Sequence, residues 1–86
     1  MTLADAAIGR PVRIRAVTLE RDDAAWLDAV GLSQGEELVV LRRAILGGPV
    51  HVRTSSGGEF CVARELARHI ELTVVSESEQ DKGEPP

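Results

Sequence analysis

The fold of this 86-residue chain is decided by residues 31–53, which read GLSQGEELVVLRRAILGGPVHVR. Glycine-containing turns are predicted at 33–36 and 47–49, and the apolar run between them, 38–41, predicts a strand that is covered on both faces. Apolar and polar residues then alternate over 50–53, which predicts the next strand. The stretch holds almost no chemically reactive side chain, so it points to an architecture and not to a reaction.

Short extended segments also flank this centre. Residues 11–16 alternate apolar and charged side chains after a proline, which predicts a strand with one buried face. The other expected elements are strands at 59–62 and 70–74 and single helical turns before Gly9 and at 64–69. Five short strands with little helix predict a mainly β fold, a small barrel or sandwich. We expect the sheet to close on itself, because closure removes the exposed edges that so small a domain cannot easily cover.

One helix of about two turns is predicted at 24–30, after candidate N-caps in the aspartates at 22–23. Gly31 can take the left-handed conformation of the C′ position at the end of this helix. Leu32 then falls at C″ and Leu27 at C3, the two positions that make the hydrophobic contact of a Schellman cap. The sequence therefore predicts both the end of the helix and the packing that accompanies it.

The composition predicts one domain whose core is aliphatic. Trp26 and Phe60 are the only aromatic residues, so valine, leucine, isoleucine and alanine must fill the interior. Trp26 is expected to pack under the helix as part of the core, with an exposed binding role as the alternative. The expected domain covers residues 1–75, and residues 76–86 are expected to be a disordered acidic tail, because they lack apolar residues able to offset the entropy of ordering.

The charge is unevenly distributed along the chain. Residues 77–86 hold four acids and one lysine, whereas residues 1–76 hold ten acids and nine arginines. A nearly neutral body argues against a nucleic acid partner, because phosphate binding depends on clustered cations. A single cysteine indicates a reducing compartment. Neither a secretory signal nor an apolar run of about 20 residues is apparent, so we expect a cytoplasmic protein without membrane insertion.

Catalytic and metal-binding patterns are weak. Cys61 with His51 or His69 is the only pair that could form a nucleophile and its base. His51, Cys61 and His69 could in principle bind a metal ion, but neither Cys-x-x-Cys nor His-x-x-x-His spacing occurs. The only lysine is Lys82, so no phosphate-binding Gly-x-x-x-x-Gly-Lys loop exists. We therefore expect no enzyme, no catalytic residue, no cofactor and no dedicated metal site.

Three stretches together resemble the FeoA family, small cytosolic proteins of bacterial ferrous iron uptake. They are TLADAAIGRPVRI at 2–14, LDAVGLSQGEELVVLRRAILGGPVHVR at 27–53 and VARELARHIEL at 62–72. The resemblance implies an SH3-like β-barrel and association with a membrane ferrous iron transporter, FeoB, which carries a cytosolic GTP-binding domain. Similar barrels also occur in metal-dependent repressors. Since no residues are left over for a DNA-binding segment, a free-standing protein is the favoured interpretation.

The predicted partner surface surrounds the turn at 47–49. It consists of an exposed apolar candidate at the tip, the proline of the turn and three nearby arginines, namely Leu46, Pro49, Arg42, Arg43 and Arg53. Arginine is common at interfaces because its planar guanidinium pairs with carboxylates, although arginines beside a turn are more often ordinary solvated charges. The predicted function is an accessory protein that docks on the cytosolic part of the FeoB-type transporter and modulates it. The alternative is an Fe(II)-binding sensor or chaperone, or a metal-dependent regulatory module.

Overall fold

A computed structural model describes residues 1–75 of the chain, and the predicted acidic tail at 76–86 lies outside the described residues. The described part is mainly β, as predicted. Its elements in chain order are β1 (Pro11–Val17), α1 (Arg21–Ala29), β2 (Glu37–Arg43), β3 (Val50–Thr54), β4 (Glu59–Val62), α2 (Arg64–Ala67) and β5 (Ile70–Val74). Neither of these two helices is long and apolar enough to cross a membrane.

The five strands form one antiparallel sheet in the order β4-β3-β2-β1-β5. The apolar run at 38–41 lies in β2, the middle strand of the sheet, as predicted, but only one face of β2 is fully buried. Leu38 and Val40 are buried, while Val39 and Leu41 are half-buried on the opposite face.

The sheet is not closed, so the expectation of a closed barrel was wrong. Within residues 1–75, β4 and β5 are the outer strands and do not pair with each other. The outer edge of β5 is instead occupied by the N-terminus. Leu3 N–H donates to Ile70 O at 2.9 Å, and Leu72 N–H donates to Met1 O at 2.8 Å. Because these residues already use the backbone groups of β5, the sheet has no position left for β4 on that side.

The core is aliphatic, as the composition predicted. Every strand sends its inward side chains into one cluster, to which Leu3, Leu27 and Leu32 also belong. Phe60 is only half-buried and packs against the margin of this cluster. Burying a Val, Leu or Ile side chain stabilises a fold by about 1.5–3 kcal/mol, so the inward strand residues hold the sheet together without an aromatic centre.

Helix α1 ends as predicted but begins earlier. Gly31 has φ 95° and donates to Asp28 O at 3.1 Å, and Leu32 N–H donates to Leu27 O at 2.8 Å. These are the two hydrogen bonds of a Schellman cap, and both leucines are fully buried. The predicted N-caps at 22–23 were wrong, because Glu20 holds the N-cap position. The two aspartates lie inside the first turn, where they interact favourably with the helix dipole.

Two further local predictions were also wrong. Trp26 is 49% exposed instead of belonging to the core, because the adjacent Leu27 is the residue of α1 that faces inward. The segment before Gly9 contains no helical turn. It forms a tight turn in which Asp5 N–H donates to Thr2 O at 3.0 Å, and the chain before that turn extends along β5.

Candidate docking surface

The β2–β3 hairpin ends in a tight turn that presents two large apolar side chains. Ala44 N–H donates to Pro49 O at 3.0 Å, and Gly48 N–H donates to Ile45 O at 3.3 Å. The two central residues of this turn, Leu46 and Gly47, have φ values of 60° and 76°. Positive φ at both central positions is typical of the hairpin turns that match the twist of the strands.

Leu46 is an unusual residue for such a turn. It is the only non-glycine residue with positive φ in the described part of the chain, and the left-handed conformation costs an ordinary residue about 1–2 kcal/mol. Its side chain is 99% exposed and that of Ile45 is 83% exposed. The fold therefore holds two adjacent aliphatic side chains in water, on a short and sterically restricted turn, where a polar residue or glycine would fit better.

A β-bulge decides how the two arginines before the turn are oriented. The register between β2 and β3 shifts between Val40 and Arg42, so that Arg42 lies opposite His51 and Arg43 lies opposite Val50. Val50 is buried, whereas Arg42 is exposed. The bulge thus turns Arg43 toward the interior and Arg42 toward solvent, the reverse of what simple alternation along β2 would give.

Arg43 ties the N-terminal segment to β2. Its guanidinium Nη2 donates to the backbone carbonyl of Ala6, and its Nε is buried without a hydrogen-bond partner. Ala6 is itself buried. Of the five residues predicted for the partner surface, Arg43 is therefore engaged within the fold.

The other four residues lie in two places. Leu46 and Pro49 belong to the end of the hairpin, and Arg42 precedes it on the outer face of the sheet. Arg53 lies toward the far end of β3, where its Nη2 is 3.3 Å from Glu59 Oε2. The structure thus brings Arg42, Leu46 and Pro49 toward one end of the sheet, and it places Arg53 in an ion pair away from that end.

Sequence reasoning assigned no role to three residues in this region. Ile45 extends the apolar tip, and Arg64 and Arg68 line a groove of about 510 Å³ between hairpin residues 47–49 and α2. The four-residue spacing of these arginines was visible in the sequence and places them on one side of a helical turn. Nothing in the sequence indicated that α2 would lie beside the hairpin.

Ion pairs occupy much of the outer face of the sheet. Arg13 Nη2 is 2.8 Å from Glu37 Oε2, and Arg15 Nη2 is 3.6 Å from Glu71 Oε1. Glu59 Oε2 accepts a hydrogen bond from Arg53 Nη2 at 3.3 Å, and Glu59 Oε1 lies 3.1 Å from His51 Nε2. Among residues 1–75, no acid lies within ion-pair distance of the arginines near the hairpin end, Arg42, Arg64 and Arg68. Within the described part of the chain, their charges are therefore not neutralised by an ion pair.

The three metal-ligand candidates do not come together. His51 and Cys61 face each other on β3 and β4, but His51 is directed to Glu59, and the exposed His69 lies in the turn after α2. In the part of the chain that the structure describes, no group of three His, Cys, Asp or Glu side chains is placed to hold a metal ion. The geometry places Cys61 and His69 at the surface and His51 beside Glu59.

Sheet, hairpin and helices define the class of this molecule as a small SH3-like β module. The model of the FeoA domain family matches residues 1–74, and the chain belongs to this family, which is associated with ferrous iron transport and is not a known enzyme family. The predicted family and fold class are thereby confirmed. A search of curated proteins finds no match.

Solved structures agree with this assignment. The chain is similar to iron(II) transport protein A from Clostridium thermocellum, at 27% identity and a TM-score of 0.80 over 87% of this chain and 46% of that one. FeoA protein from Chlorobium tepidum gives 28% identity and a TM-score of 0.80 over 88% and 71% of the two chains. This chain thus spans slightly less than half the length of the Clostridium protein.

A manganese-dependent transcriptional repressor shares the fold but little sequence. The TM-score is 0.78 at 18% identity, over 87% of this chain and 36% of the repressor. At this identity the likeness concerns the fold alone. The structural neighbours therefore include transport proteins and a repressor, and the fold by itself does not separate their functions.

Proposed function

We propose that this protein is an accessory component of ferrous iron uptake that docks on the cytosolic part of a FeoB-type transporter and modulates it. Membership of the FeoA family supports the assignment to ferrous iron uptake. The single observation that supports docking is the hairpin tip, where Ile45 and Leu46 are 83% and 99% exposed. An exposed apolar patch that is rimmed by polar or charged residues is typical of a protein–protein interaction site.

The docking surface in this proposal is the apolar tip together with the arginines around it. Burial of a leucine or isoleucine side chain contributes about 1.5–3 kcal/mol, and arginine is enriched among the residues that contribute most to binding at protein interfaces. Arg42, Arg64 and Arg68 then form a rim that favours an acidic partner. Arg43 is not part of the contact surface in this proposal. Its guanidinium donates to the backbone carbonyl of Ala6 and so stabilises the fold beneath the hairpin.

A binding measurement with the purified cytosolic region of the transporter tests this proposal. Leu46→Asn should weaken binding about tenfold, since the apolar anchor is lost. Trp26→Asn is the matched control, because Trp26 is also an exposed apolar residue but lies on α1. Its affinity should equal that of the unmodified protein. Lack of binding by the unmodified protein to both the isolated region and the intact transporter would refute the proposal.

A further inference from the structure

The sheet has one covered edge and one uncovered edge within residues 1–75. Met1–Leu3 run along the outer edge of β5, with a bridge between Thr2 and Glu71. β4 is the last strand at the opposite side of the sheet, and no described segment pairs with its outer edge. An uncovered edge presents backbone donors and acceptors on which another chain can add a strand.

The hydrogen bonding between β3 and β4 shows which groups of β4 are available. Thr54 N–H donates to Gly58 O at 2.8 Å. In an antiparallel pair the hydrogen-bonded positions recur at every second residue, so the next one along β4 is Phe60. Glu59 and Cys61 lie between these positions and turn their N–H and C=O groups away from β3. Each therefore offers one donor and one acceptor to an added strand.

The groove between the hairpin and α2 continues this edge. Cys61 and Ala63 belong to its wall, and so do Arg64 and Arg68 on the α2 side. A strand added along Cys61 would therefore enter the groove and pass the two guanidinium groups. The cavity of about 510 Å³ is large enough to receive side chains of that strand.

The charges around the outer edge of β4 indicate which charge the added strand should carry. Arg64 and Arg68 have no acid within ion-pair distance among the described residues, while Glu65 is the single acid lining the groove. At the other end of β4, Glu59 is already paired with His51 and Arg53. A carboxylate on the incoming segment is therefore favoured at the groove end.

We propose that β4 binds an extended acidic segment of the partner protein as an additional strand. The backbone of that segment pairs with Glu59 and Cys61, and its carboxylates lie against Arg64 and Arg68. This inference rests on the proposed function for the identity of the partner, the cytosolic region of the transporter. It adds the mode of recognition and the chemistry of the segment that is recognised.

Cys61→Pro tests the backbone contact, with Cys61→Ala as the matched control. Proline removes the outward N–H of Cys61, which β3 does not use, and proline is tolerated at such edge positions. Loss of one interface hydrogen bond should weaken binding of the transporter's cytosolic region about fivefold. Cys61→Ala removes only the thiol and keeps the backbone N–H, so it should bind more tightly than Cys61→Pro. Arg64→Gln combined with Arg68→Gln should weaken binding about tenfold.

Amide hydrogen exchange of the unmodified protein gives a second readout that needs no variant. On binding the same cytosolic region, the amides of Glu59 and Cys61 should exchange at least about tenfold more slowly. Binding without this protection, or equal affinity of a folded Cys61→Pro variant, overturns the inference and leaves the proposed function standing. Absence of binding by the unmodified protein overturns both. A dimer of this chain that Cys61→Pro abolishes would assign the edge to a second copy and also overturn the inference.

Discussion

Replacing Leu46 with asparagine should make the fold more stable. Leu46 has φ 60°, and a left-handed backbone costs a residue with a branched or bulky side chain about 1–2 kcal/mol. Asparagine adopts this region far more readily than leucine. No packing is lost, because the leucine side chain is 99% exposed. We expect a gain of about 1 kcal/mol in the free energy of unfolding, or about 4–8 °C in Tm for a domain of this size.

Urea denaturation and thermal unfolding followed by circular dichroism measure this gain. Ile45→Asn is the matched control, since Ile45 is 83% exposed but is absent from the positive-φ residues of the described part. Its free energy of unfolding should stay within about 0.5 kcal/mol of the unmodified protein. The comparison separates relief of the left-handed conformation from the general effect of a more polar tip.

Equal effects of the two substitutions, or a lower Tm for Leu46→Asn, would refute the claim that Leu46 is strained. The predicted gain in stability also excludes one alternative explanation in the docking test. Weaker binding by a variant that is more stable than the unmodified protein cannot result from partial unfolding. Stability lost to a residue that also mediates binding is a recurrent feature of functional sites.

Two further predictions concern the base of the same hairpin. Arg43→Met should lower the free energy of unfolding, measured in urea, by about 1–2 kcal/mol, because the buried carbonyl of Ala6 loses its donor. Arg42→Met is the control at the exposed neighbour and should change the free energy of unfolding by no more than about 0.5 kcal/mol. Equal losses for the two variants would contradict the orientation that the bulge gives these arginines. Gly48→Ala should also destabilise the fold, because its Cβ would lie 2.5 Å from the Cβ of Ala44. Adding Ala44→Gly should recover part of the lost Tm, and a failure to recover any would show that this contact is not the cause.

Much of the fold could be read from local patterns. The strands at 50–54 and 70–74 follow directly from alternating polarity, and the helix end follows from Gly31 between two leucines. These features depend on residues within one or two turns of each other, so neighbouring side chains and backbone preferences are enough to specify them. The tip of the candidate surface, Leu46, was also identified from the sequence, although its role in docking stays a prediction.

The rest of the surface depends on contacts between distant segments. Alternation along β2 cannot reveal that a bulge reverses Arg42 and Arg43, because the register is set by hydrogen bonds to β3. The position of Arg64 and Arg68 beside the hairpin likewise follows from the path of α2 between β4 and β5.

By itself, the sequence determined the number of strands, the aliphatic core and the end of α1, because periodicity, composition and glycine conformation act locally. Tertiary structure decided that the sheet stays open, because Met1–Leu3 take the edge of β5 that closure would have required. It also decided that, among residues 1–75, no segment pairs with the outer edge of β4, which lies beside Arg64 and Arg68. Strand pairing joins residues far apart in the chain, so the choice among alternative partners is made only when the whole domain assembles.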